Sequence, residues 1–285
     1  MSNDFTKMLL GNIGSDLPRI NSNNAFQKDG IWHCQICKSP LQMKIKIGDA
    51  DYIVRKACMC EQMKYERMDR EEQEKADREF VANLKRESMM DEISKSHTFS
   101  KFNVTRDNER NMRICKKYAE QFEQMKEKNQ GLLMLGNPGT GKTFAASCIA
   151  NYLLDHKYRV VMTSLVKLIS MIQDSYGESE ERIIEKINRA ELLIIDDLGA
   201  ERGTDYAIER VYNIIDSRYR KKKPMILTTN LSLQEMKSTN DMRLARIYDR
   251  VFEVCYPMMF TGISMRYETA ARRFDEMKAF LEADE

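Results

Sequence analysis

The segment Gly136-Asn-Pro-Gly-Thr-Gly-Lys-Thr143 constrains this chain more than any other, because it fits G-x-x-x-x-G-K-[ST] and follows the apolar run Leu132–Leu135. Glycines at 136, 139 and 141 let successive backbone N–H groups curl around phosphate oxygens, and a helix beginning near Lys142 would aim its positive end at the same point. On this pattern Gly136, Asn137, Pro138, Gly139, Thr140 and Gly141 would cradle the phosphates of a nucleoside triphosphate. Lys142 reaches the β- and γ-phosphates, Thr143 offers a hydroxyl to Mg²⁺, and Phe144 adjoins the nucleotide. A chance match in a chain of this size has a probability on the order of one per cent.

A second feature answers the first. Glu191-Leu-Leu-Ile-Ile-Asp-Asp-Leu-Gly199 reads as a central strand that delivers Asp196 to its C-terminal end, where ligands of parallel sheets sit. Asp196 would hold the Mg²⁺ shell, and Asp197 could orient the attacking water. A third run, Pro224-Met-Ile-Leu-Thr-Thr-Asn230, is a strand with a polar end. It brings Asn230 to the γ-phosphate only if it lies between the phosphate-loop strand and the Asp196 strand. Arg243, Arg246 and Arg250 fall at helical spacing, followed by Ser264-Met-Arg266. They read either as a solvated salt-bridged face or as groups that stabilise transition-state charge on a neighbour's nucleotide.

Four apolar runs, Leu132–Leu135, Val160–Thr163, Leu192–Ile195 and Met225–Thr228, alternate with helical patterns, and a fifth, Val251–Tyr256, precedes a C-terminal helix. Short buried strands alternating with helices predict an α/β fold with a parallel five-stranded sheet flanked by helices. Residues 113–126 read as one amphipathic helix. The segment 61–92, nearly devoid of Gly and Pro and dominated by charge, reads as a solvated helical linker. With 46 basic and 44 acidic residues the net charge is +2, which disfavours a polybasic mode of nucleic-acid binding. No apolar run approaches a membrane span, and the first residues lack the order of a secretory signal, so a cytoplasmic protein is expected.

Four of the seven cysteines lie close together, as Cys34-x-x-Cys37 and Cys58-x-Cys60. A disulfide framework does not suit a reducing compartment. Two thiolate pairs joined by a strand pair suit a closed, structural, tetrahedral Zn²⁺ site, with free buried thiols as the bland alternative. His33 is a conceivable substitute ligand. Cys115, Cys148 and Cys255 read as core, and His97 and His156 as boundary and surface residues. The basic run Arg218–Lys223 reads chiefly as a solubilising loop at the end of the sheet away from the nucleotide.

Together, Gly136–Thr143, Ile194-Ile-Asp-Asp-Leu-Gly199, Thr228-Thr-Asn230, Asp249-Arg250 and Ser264-x-Arg266 resemble the AAA+ helicase loaders of the DnaC/DnaI type, a family that includes the IstB-type transposition helper ATPases. The resemblance covers roughly residues 97–270. It implies an ASCE-class AAA+ sheet with Asn230 as sensor 1, Arg250 as the arginine finger and Arg266 as sensor 2. It also places Thr98-Phe-Ser-Lys-Phe102 near the adenine. The cysteine cluster resembles the zinc-bearing N-terminal domains of some Firmicute and phage loaders, where that domain grips the helicase.

The implied organisation is a zinc-ribbon-like helicase-interaction domain at 1–60, a charged helical linker at 61–96 and an AAA+ ATPase at 97–285. The implied partners are a replicative hexameric DNA helicase, single-stranded DNA and further copies of the chain, with no membrane. For DNA, the resemblance points to an insertion at about 166–187, with Lys167, Lys186, Arg189 and Tyr176 as contacts. Asp197 departs from the usual Glu and is one methylene shorter, so slow, gated hydrolysis is expected. Three competitors remain: a transposition helper acting on duplex DNA, a small-molecule kinase, and a nucleotide switch that does not hydrolyse.

Overall fold

Strands that are apolar on both faces need a helical layer above and below the sheet. The computed structural model, which describes Ile20 and residues 24–174, 180–200 and 204–282, satisfies that demand. The chain divides into two units, Met1–Arg78 and Glu79–Glu285.

The first unit contains β1 (Ala25–Lys28), β2 (Ile31–Cys34), β3 (Gln42–Ile47) and β4 (Ala50–Arg55), followed by most of α1 (Met59–Glu87). β1 pairs with β2 and β3 with β4, both antiparallel. Asp29 and Gly30, at φ 51° and 75°, make the two-residue turn of the first hairpin, where the chain needs two left-handed residues and Asp-Gly tolerates them. The buried core of this unit is small: Cys34, Leu41 and Cys58, with Trp32, Cys37 and Cys60 packed against them.

The second unit carries α2 (Glu109–Glu120), α3 (Phe122–Glu127), β5 (Gly131–Gly136), α4 (Lys142–Asp155), β6 (Val160–Ser164), α5 (Leu165–Asp174) and α6 (Glu180–Arg189). It continues with β7 (Leu192–Leu198), α7 (Asp205–Arg220), β8 (Met225–Thr229), α8 (Leu233–Lys237), α9 (Met242–Val254), β9 (Cys255–Phe260) and α10 (Met265–Leu281). Five strands form one parallel sheet in the order β6-β7-β8-β5-β9. Leu133, Leu135, Leu193, Ile195 and Leu227 face one helical layer, and Leu132, Met134, Ile194 and Ile226 the other, all essentially inaccessible to water. Each such side chain contributes roughly 1.5–3 kcal/mol of hydrophobic free energy.

Three local expectations change. The segment 113–126 is two helices, because Gln121 at φ −109°, ψ 26° breaks the chain between α2 and α3. The fifth strand begins only at Cys255; Val251 and Val254 are buried core residues at the end of α9. The basic run is not a loop throughout. Arg218 lies in α7 with no exposed surface and donates to the carbonyls of Ala190, Glu191 and Pro224, joining the beginnings of β7 and β8. Burial pushes its guanidinium down to about 9.

Candidate nucleotide site and cysteine cluster

At the C-terminal end of β5 the chain turns through Gly136, Gly139 and Gly141, at φ 146°, 83° and 94°. The crowding matters as much as the angles. A Cβ on Gly136 would lie 2.1 Å from the Phe260 carbonyl oxygen, and one on Gly139 would lie 1.9 Å from Ser264 Oγ. The Met265 amide donates to the Gly139 carbonyl at 3.0 Å, which ties the start of α10, and with it Arg266, to the phosphate loop. Thr140 closes the loop on itself by donating to the Asn137 carbonyl at 2.8 Å.

Lys142 opens α4 and is buried. Its Nζ donates to the carbonyls of Gly136 (2.7 Å) and Asn137 (2.9 Å) and to Asn230 Oδ1 (3.0 Å). Burial draws its ammonium below the ordinary lysine range. β8 lies between β5 and β7, so Asn230, just beyond β8, meets the lysine across the site.

Thr143 Oγ1 donates to Asp196 Oδ1 at 2.9 Å, the pairing expected of two groups that would share one Mg²⁺. Burial lifts the Asp196 carboxyl above its ordinary range, against the hydroxyls of Thr228 and Thr143 that lower it. A cation would relieve that cost, so these donors fit Mg²⁺. The next residue, Asp197, has φ 55°, within an irregularity where the β7–β8 register shifts between Ile195 and Leu198. Asp enters left-handed backbone more readily than most residues, and here the kink turns the second carboxylate toward the cavity.

A cavity of about 470 Å³ is lined by Pro138, Gly139, Gly141, Lys142, Thr143, Phe144, Asp197, Asn230 and Arg266 among others, with Asp196 behind Thr143. His97 belongs to it, which sequence spacing did not indicate. Its ring stacks on Phe144 at 4.1 Å, and Phe102 meets Phe144 edge-on at 5.2 Å. Burial lowers the His97 imidazole below its usual range, favouring the neutral ring. Asn151 on α4 holds the approach, donating to the carbonyls of Ser94 and His97.

Arg250 lies apart from this cavity. Its Nη2 lies 2.8 Å from Asp216 Oδ1 and 3.0 Å from the Tyr212 hydroxyl, and the guanidinium stacks over Tyr212. Of the residues expected near DNA, Lys167 donates to the Met89 carbonyl at 3.3 Å and Arg189 pairs with Glu185. Tyr176 lies outside the described residues.

In the first unit the sulfur atoms of Cys34, Cys37, Cys58 and Cys60 all lie within 4.8 Å of one another. Tetrahedral Zn–S bonds of about 2.3 Å place sulfurs roughly 3.8 Å apart, so small side-chain shifts would close the shell. The Ser39 hydroxyl, 3.0 Å from Cys37 Sγ, draws that thiol down to about 5; Cys37 beside it drives Cys60 up to about 12. Crowded thiols resist further ionisation until a dication shares their charge, so the donor set fits zinc. His33 stays outside the group: its Nδ1 lies 3.0 Å from the Ile31 carbonyl and its ring stacks on Phe26.

A glycine-rich loop between a central strand and a helix, with two acids on the strand beyond its neighbour, defines a P-loop nucleotide-binding protein. The family model described as IstB-like ATP binding protein matches residues 56–273, and the chain belongs to that family. It is 29% identical over 125 residues to the replicative helicase loader DnaC of Escherichia coli (strain K12), covering 43% of this chain and 50% of that protein. It is 28% identical over 152 residues to DnaC of Buchnera aphidicola subsp. Acyrthosiphon pisum (strain APS), covering 52% and 61%. The phage-like element PBSX protein XkdC of Bacillus subtilis (strain 168) is 28% identical over 141 residues, 47% of this chain and 53% of XkdC. The chain thus spans between half and about three-fifths of the length of these curated relatives. Crystal structures of the DnaC helicase loader (22% identity, 60% of this chain and all of that one, TM-score 0.52) and of DnaI (23%, 62% and 97%, 0.53) share the fold.

Proposed function

We propose that this protein is an ATP-dependent loader that deposits a replicative hexameric helicase on single-stranded DNA. The observation that carries this reading is the kinship of its nucleotide-binding fold to proteins named replicative helicase loaders, joined in one chain to a four-cysteine module. Residues 1–60 would bind zinc and the helicase, 61–96 would link, and 97–285 would bind ATP and DNA. Zinc would be purely structural, since four thiolates leave no open position.

In the nucleotide site, the loop amides and Lys142 would hold the β- and γ-phosphates, and Thr143 and Asp196 would hold Mg²⁺, which neutralises phosphate charge. Asp197 and Asn230 would orient the lytic water, and Arg266, anchored through Met265 to the loop, would approach the γ-phosphate. Asp197 is short, so hydrolysis would be slow and stimulated by DNA or assembly. Arg250 would act on a neighbouring copy's nucleotide, which makes an oligomer part of the mechanism. The setting would be cytoplasmic; among the described residues no helix is long and apolar enough to cross a membrane.

The test is light scattering of the chain mixed with the replicative helicase of its host, with ATP, without nucleotide, and after deletion of residues 1–60. The loader reading expects a multi-subunit complex that the deletion abolishes. If no complex forms under any condition, that reading fails. Duplex DNA with a transposase then becomes the partner to try, since the family also takes its description from the IstB-like proteins.

A further inference from the structure

Asp196 and Asp197 are adjacent in sequence but cannot both face the nucleotide from a regular strand, where successive side chains point to opposite faces. Asp196 meets the Thr143 hydroxyl while Asp197, on left-handed backbone, lines the cavity, and one buried hydroxyl reaches both residues. Thr228 Oγ1 donates to Asp196 Oδ1 at 2.6 Å and accepts the Asp197 amide at 3.0 Å. Thr228 is the penultimate residue of β8 and has no exposed surface. The hydroxyl's one proton goes to the carboxylate and a lone pair to the amide, so the two bonds are compatible and set the hydroxyl's direction.

We propose that Thr228 is a positioning residue for both acids: it orients Asp196 toward the cation position and pins the left-handed backbone that presents Asp197. Thr143, the other hydroxyl on Asp196, would turn to Mg²⁺ when the cation binds, leaving Thr228 as the constant partner. Thr229 cannot substitute, because its hydroxyl faces the other way and donates to the Leu198 carbonyl at 2.7 Å. The inference rests on the nucleotide-site reading and concerns no partner protein.

The experiment compares wild type, Thr228→Val and Thr228→Ser. Val keeps the shape and removes the hydroxyl; Ser keeps the hydroxyl. A fluorescent ATP analogue is titrated in EDTA and across a Mg²⁺ series, with thermal melting and steady-state hydrolysis alongside. In EDTA, Thr228→Val should bind within about threefold of wild type, because the loop and Lys142 are untouched. The Mg²⁺ concentration for half-maximal tightening should rise about 10- to 100-fold, the usual effect of removing a group that orients a metal ligand. Turnover should fall more than KM changes, and Thr228→Ser should restore both. A Thr228→Val protein with wild-type Mg²⁺ dependence overturns the proposal. So does one that melts early while keeping that dependence, since Thr228 would then serve packing alone. Failure of wild type to bind the analogue would instead overturn the nucleotide site itself.

Discussion

Arg250 Nη2 lies 2.8 Å from Asp216 Oδ1, and Asp216 also pairs with Arg220 at 2.7 Å, so the arginine on α9 is held against α7 by a carboxylate already engaged on its own helix. Nη1 donates to the Arg246 carbonyl, and Tyr212 and Tyr219 flank the guanidinium. An arginine that serves a neighbour's nucleotide would have to leave or share this clasp. Arg250→Ala should therefore leave ATP affinity unchanged, abolish the rise in turnover with protein concentration, and lower the melting temperature by a few degrees, on the order of 1 kcal/mol. Asp216→Asn should lower stability while retaining assembly-dependent turnover. Calorimetry and a concentration series of phosphate release read both. Unchanged assembly-dependent turnover in Arg250→Ala removes the residue from the mechanism.

Lys142 spends its donors on two loop carbonyls and Asn230, all groups that a nucleotide would compete with or join. Lys142→Ala should abolish binding of ATP, a loss of at least a hundredfold by fluorescence titration, with little change in the circular dichroism spectrum. A variant that binds within tenfold of wild type would contradict the assigned loop role.

Burial raises the Asp196 carboxyl, so its ionised form costs the cation-free protein stability. A carboxyl whose folded value exceeds its unfolded value of about 3.9 lowers stability as the pH rises through the interval between them. Asp196→Asn should therefore melt above wild type at pH 7 without nucleotide, and the gap should close as the pH approaches 4. The same variant should lose the Mg²⁺-dependent tightening of nucleotide. A wild-type protein that melts higher at neutral pH would show that the burial cost is already met within the chain.

Trp32 is the single tryptophan and packs against the cysteine cluster. Elemental analysis should find one zinc per chain, and its removal by a chelator should shift Trp32 emission to the red while leaving nucleotide binding intact. Acidification should release the metal, since protons compete with it for the thiolates. Metal-free protein with unchanged emission would leave the cluster as ordinary buried thiols.

The features legible in the amino-acid sequence are those whose cause is local. The phosphate loop needs glycine where the backbone is left-handed or crowded, and Gly136, Gly139 and Gly141 announce it in any context. The first four sheet strands show themselves as apolar runs because both faces are buried, and the two cysteine pairs stand out by spacing alone. The apolar run Val251–Tyr256 does not mark where the fifth strand starts, because Val251 and Val254 are equally apolar at the end of a helix whose inner face meets the same core.

The remaining features arise from bonds between residues far apart in the chain. Strand order brings Asn230 to Lys142 and Thr228 to both acids. Packing draws His97, which looked like a boundary residue, onto Phe144. It also buries Arg218, part of the basic run, where its guanidinium donates to the carbonyls of Ala190, Glu191 and Pro224 at two strand starts. Periodicity records whether a position faces the core. It carries no record of which distant backbone group will need a hydrogen-bond partner there.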